Sequence, residues 1–137
     1  MMRHGTMLLR WRLLLATTAT LTALGCATLP PAQPAHDLKA IVGRWEGTLQ
    51  LRDGAAYKAK TVITEDGRFE TVVDRPIGNL STTFPGTVKV ENGRFRYLPE
   101  KTGAVGTMTL HEGEGKRILT SRNDNGASTG EYVPAKP

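Results

Sequence analysis

The sequence predicts an all-β domain, a small antiparallel eight-stranded up-and-down barrel preceded by a short N-terminal helical turn. Three observations carry this reading. From residue 44 onward polarity alternates with a period of two, the pattern of strands with one wet face. Turn-forming pairs such as Asp-Gly and Asn-Gly interrupt that alternation at short intervals. Strands joined this closely pair with their sequence neighbours, and closing the set leaves no edge unpaired.

The elements follow in chain order. Asp37 is placed to cap a helical turn through Leu38–Val42, ended by Gly43. In Arg44-Trp45-Glu46-Gly47-Thr48-Leu49-Gln50-Leu51-Arg52 the odd positions are Trp, Gly, Leu and Leu, and the even ones are polar. Asp53-Gly54 turns the chain into a strand over 55–64, with Tyr57, Ala59, Thr61 and Ile63 inward. Glu65-Asp66-Gly67 and Glu91-Asn92-Gly93 are hairpin signals. The strands that leave them turn Phe69, Thr71 and Val73, then Phe95 and Tyr97, toward the core. Pro76, Gly78, Pro85 and Gly86 mark 75–86 as the longest irregular connection, leading into a strand at about 81–90. Strands at 103–111, 116–122 and 128–133 complete the set, separated by Gly113-Glu114-Gly115 and Asn123-Asp124-Asn125-Gly126.

The first quarter of the 137-residue chain does not belong to this domain. Arg3, Arg10 and Arg12 precede an uncharged, largely apolar stretch over 13–25, the layout of a secretory signal and too short for a bilayer span of ~20 residues. Thr22-Ala23-Leu24-Gly25-Cys26 resembles the lipobox of bacterial lipoproteins. The resemblance implies cleavage before Cys26, acylation of its sulfur and stable membrane anchoring by more than one chain. Ala27 after the cysteine resembles lipoproteins sent to the outer membrane, facing the periplasm. The expected organisation is therefore a signal over 1–25, a lipidated proline-rich tether over 26–36 and a barrel over 37–134. Pro30, Pro31 and Pro34 lack amide donors and favour extended backbone, so the tether is expected to hold the domain off the surface.

Cys26 is the sole cysteine, so no disulfide staples the domain. Removing 1–25 takes away three of 18 basic residues and none of 13 acidic ones, leaving a net charge of only +2. With no run of Lys or Arg, a nucleic-acid partner is excluded.

The short turn followed by Gly43-Arg44-Trp45 on the first strand of an eight-stranded meander resembles the lipocalin and wider calycin pattern, whose first motif is Gly-x-Trp. The resemblance implies that Trp45 closes one end of the barrel against an arginine near the last strand, for which Arg122 is the nearest candidate. It also implies a barrel able to hold a small apolar ligand. Short strands and inward Trp45, Tyr57, Phe69, Phe84, Phe95, Tyr97 and Met108 nonetheless predict an interior filled by side chains.

Catalytic groups are not assembled by the sequence. His111 falls on an outward face at a strand end, and Ser81, Ser121 and Ser128 lie outside any nucleophile-elbow context. One domain histidine builds no zinc site, Asn123-Asp124-Asn125-Gly126 lacks calcium-loop spacing, and no glycine-rich loop points to a phosphate cofactor. Outward Arg44, Arg52, Lys58, Lys60, Arg68, Lys89, Arg94 and Arg96 form a solvated face that is also suited to anionic headgroups or glycans. The expected function is a non-enzymatic binding or interaction module of the envelope, with an envelope protein, glycan or small apolar ligand as partner. The alternatives are a carrier of a small apolar ligand and an inhibitor of a lysozyme-like enzyme.

Overall fold

A computed structural model describes residues 28–74 and 81–137. The expected signal over 1–25, the expected lipidation site Cys26, and Pro76 and Gly78 of the irregular connection lie outside the described residues. The strands are β1 (Ala32–Gln33), β2 (Gly43–Leu51), β3 (Ala56–Ile63), β4 (Arg68–Asp74), β5 (Ser81–Glu91), β6 (Arg94–Pro99), β7 (Gly106–Gly113), β8 (Lys116–Asn123) and β9 (Ser128–Pro134). Each of β2 to β8 pairs antiparallel with its successor, and β9 pairs back onto β2, closing an eight-stranded up-and-down barrel. This is the predicted architecture.

The entry turn is a single 3-10 turn, Leu38–Ile41, one residue shorter than expected. Asp37 caps it by accepting from the Lys39 amide at 2.9 Å. Asn92-Gly93 and Glu114-Gly115 each place two successive residues at positive φ, as a two-residue hairpin twisted with its strands requires. At 64–67 only Gly67 has positive φ, so the two similar turn sequences fold differently.

Two expectations are corrected. Pro85 and Gly86 are not part of an irregular connection but sit within β5, where the strand changes partners. Residues up to Pro85 face only β4, and those from Val88 face only β6. A proline is tolerated at such a switch because its carbonyl still works, and Pro85 O accepts from the Glu100 amide at 2.9 Å.

The proline-rich segment is likewise no free spacer where it is described. β6 pairs with β7 only from Phe95↔Met108 to Tyr97↔Gly106, which leaves the rest of the β7 edge open. β1 fills that seam through Ala32↔His111 and Gln33↔Leu110. Pro31 O accepts from the Glu112 amide at 3.1 Å, Ala35 N donates to Gly93 O at 3.0 Å, and Ala35 is buried. Proline removes donors but not acceptors, and an open strand edge needs both.

Strand directions put the 3-10 turn and the 64–67, 92–93 and 114–115 turns at one end. The 52–55, 100–105 and 124–127 connections lie at the other. The first end is plugged by Ile41, Trp45, Ile63 and Phe95, each almost wholly buried.

Candidate functional site

Behind that plug the barrel is hollow. A cavity of about 400 Å³ runs from Thr61, Leu119 and Ser121 at mid-barrel toward Thr102, Ala104, Asn125 and Ala127 at the opposite end. The prediction of a filled interior is thereby corrected, and strand register supplies the reason. Phe69 lies opposite Gly86, and Tyr97 opposite Gly106. Each ring rests on its glycine so closely that a Cβ there would collide with it. A Cβ on Gly130 would likewise meet the Tyr132 ring and the Ser121 hydroxyl. The aromatics therefore lie back against the wall instead of crossing the lumen, and Phe69 meets Tyr97 edge-to-face with centroids 5.9 Å apart.

Among the described residues the lining contains no charged side chain. Leu49, Leu51, Phe69, Phe84, Met108 and Leu119 make most of it apolar. The polar part is a band of neutral groups. Thr61 and Thr71 share a hydroxyl–hydroxyl bond of 2.8 Å. Asn123 Oδ1 accepts from the Tyr97 hydroxyl and from Ser128 Oγ, the latter at 2.7 Å. Burial first, then the neighbouring Tyr132 and Asp124, holds the Tyr97 pKa well above the ordinary tyrosine value. Burial likewise raises that of Tyr132, against hydrogen bonding from Ser121 and Thr61. Both phenols are thus neutral at physiological pH. A site of this kind shelters an apolar body and offers it a few fixed polar contacts.

Trp45 is buried at the closed end, the place the lipocalin resemblance implied for it. Its indole Nε1 donates to Ile41 O at 2.9 Å. The cation over its ring is not Arg122, however, but Arg117, whose Cζ lies 5.4 Å from the centroid. Arg117 also donates to Ala40 O at 2.6 Å and to Glu112 Oε1 at 3.0 Å, clamping the 3-10 turn onto β8. Arg122 is exposed, because on β8 the odd positions Leu119, Ser121 and Asn123 face in and the even ones face out. Neither Trp45 nor Arg122 lines the cavity.

His111 faces outward as expected but is half-buried, not exposed, because the N-terminal segment covers it. Its Nδ1 lies 3.0 Å from Pro30 O and its Nε2 3.2 Å from Thr120 Oγ1. Of the three serines, Ser121 and Ser128 line the cavity while Ser81 is exposed at the start of β5. The outward cations are less free than their number suggests. Arg96 makes a bidentate pair with Asp124 at 2.7 and 3.0 Å, Arg68 and Lys89 have carboxylate partners, and Arg52 donates to Asn125 O. Sequence reasoning missed Asn123, which it assigned to a turn. The signal was there, since Asn123 continues the alternation of Leu119 and Ser121.

No protein-family model and no curated protein sequence matches this chain. Among solved structures the fold is similar to that of a mutant of the fluorescent protein UnaG, at a TM-score of 0.40 and 12% sequence identity, over 71% of this chain and 97% of that one.

Proposed function

We propose that this chain is a lipid-anchored protein of the cell envelope, held at the periplasmic face of the outer membrane through Cys26, whose barrel carries one small, largely apolar, uncharged ligand without transforming it. The observation that carries the reading is the cavity of about 400 Å³ with an uncharged lining. Its size falls within the ~300–1,000 Å³ of small-molecule sites, and an eight-stranded barrel is just wide enough for one small ligand. The hollow interior favours a carrier over a barrel that serves only as a docking block. The lining hydroxyls bond to one another or to an amide, and among the described residues no base lies beside them to activate a nucleophile. The anchor rests on the lipobox-like Thr22–Cys26 and the charge pattern before it.

The test is titration of the uncharged dye N-phenyl-1-naphthylamine into the full chain carrying Cys26→Ser. Saturable one-to-one binding with blue-shifted emission is expected. Ser121→Phe, which places a ring in the lumen, is expected to weaken binding by at least about tenfold, the effect of losing ~1.4 kcal/mol. Failure of the dye to saturate, or equal binding by a folded Ser121→Phe variant, would overturn the reading.

A further inference from the structure

The polar band inside the cavity is asymmetric in its hydrogen-bonding needs. Asn123 is only 7% exposed and lines the cavity. Its Oδ1 takes two hydroxyl donors, from Tyr97 on β6 and Ser128 on β9, which fixes the amide plane from both sides. With both lone pairs of Oδ1 used, the amide nitrogen is left as a donor, and no group among the described residues accepts from it. No polar side-chain atom is sealed away without a partner among the described residues, so this nitrogen keeps accessible surface, on a residue that lines the cavity. A donor held in a largely apolar enclosure is costly to leave unmatched, which makes it a selective contact for an acceptor. Among the described residues the same enclosure contains no Lys, Arg or His to neutralise an anion. An unpaired carboxylate placed there loses its hydration with nothing in return.

We infer that Asn123 is the specificity-determining contact of the cavity: its amide nitrogen receives the oxygen of a ketone, ester or ether group on a neutral aliphatic ligand, and the cavity rejects the corresponding carboxylates. This rests on the carrier reading above and adds the chemistry of the ligand to it. The Tyr97 and Ser128 hydroxyls act as positioning groups that orient the amide.

The experiment displaces the bound dye from the Cys26→Ser chain with decane, 2-decanone and decanoate. Water solvates the ketone better than the alkane, so the quantity read is how the ratio of their affinities changes between wild type and Asn123→Leu. Loss of one neutral hydrogen bond predicts that the ketone weakens about three- to tenfold relative to decane. Should Asn123→Leu fail to fold, Asn123→Asp keeps an acceptor for Tyr97 and Ser128 while removing the amide donor, and the same relative loss is expected. Decanoate should bind at least about tenfold more weakly once pH is raised through its own carboxyl pKa. An unchanged ratio in both variants, or an anion bound as tightly as its acid, overturns the inference while leaving the carrier reading in place. Absence of binding by all three probes and the dye overturns both.

Discussion

Replacing Arg117 by alanine tests how the closed end is held. Three interactions would be lost. The guanidinium over the Trp45 ring, at 5.4 Å, is worth about 0.5–1 kcal/mol at a site open to water on one side. The 2.6 Å bond to Ala40 O is a charged hydrogen bond, about 1.5 kcal/mol at the low end that partial exposure warrants. The ion pair with Glu112 adds little, because both side chains are 43% exposed and water screens them. The expected cost is about 2–3 kcal/mol, a large fraction of the ~5–15 kcal/mol that holds a domain together. Arg122→Ala is expected to stay within about 0.5 kcal/mol, since that side chain is exposed and makes no such bonds among the described residues. Trp45→Ala should cost about 3–5 kcal/mol, because the ring is only 2% exposed. Urea unfolding followed by far-ultraviolet circular dichroism gives the three values. Trp45 emission, expected to be blue-shifted in the wild type because the ring is buried, should become more accessible to iodide in Arg117→Ala. Equal costs for Arg117→Ala and Arg122→Ala, or a cost below about 0.5 kcal/mol for the former, would refute the clamp.

Two further outcomes are expected. The full chain should sediment with membranes, and Cys26→Ser should release it or leave it unprocessed, because more than one acyl chain is needed for stable anchoring; fractionation unchanged by the substitution would remove the anchor from the proposal. Tyr97 and Tyr132 both have folded-state pKa values raised above the ordinary 10.0, so their contribution to stability is complete below pH 10 and is lost as pH rises beyond it, at up to about 1.4 kcal/mol per pH unit for each. Tyrosinate absorbance should therefore grow together with loss of the β-sheet signal, and ionisation of both residues in a chain still folded would contradict their burial.

Parity along the strands was legible in the sequence; register between them was not. Alternation alone turned Trp45, Ala59, Thr61, Ile63, Phe69, Val73, Phe95 and Tyr97 inward, and each is buried. The same parity, carried through β8, excludes Arg122 from the interior and puts Arg117 on the inward side at its closed-end start. Choosing an arginine by nearness to the last strand therefore failed where the period of two would have succeeded. The cavity is different in kind. Counting inward aromatics predicts a full lumen, because a side chain's volume is a property of one residue. Where that volume goes depends on what stands opposite. Phe69 opposite Gly86 and Tyr97 opposite Gly106 are pairs between strands, fixed only once the turns set the register.

The N-terminal segment follows from the same dependence on pairing. Read alone, Pro30, Pro31 and Pro34 describe a chain that packs against nothing. The β7 edge beyond Met108 has no β6 partner, because β6 is only six residues long, and an unpaired edge attracts whatever extended backbone lies within reach. Residues 31–35 supply it, with the Pro31 carbonyl as acceptor, and Pro30 O then meets the His111 ring. This shortens the free part of the proposed anchor. From Cys26 to Pro30 the chain spans at most about 14 Å fully extended, so a lipid on Cys26, as proposed, would stay close to the β7 side of the barrel. The cavity opens at the far end from the Trp45 plug. On the proposed reading, a carrier on so short a lead would work at the membrane surface, where largely apolar, uncharged molecules of the kind its lining fits partition.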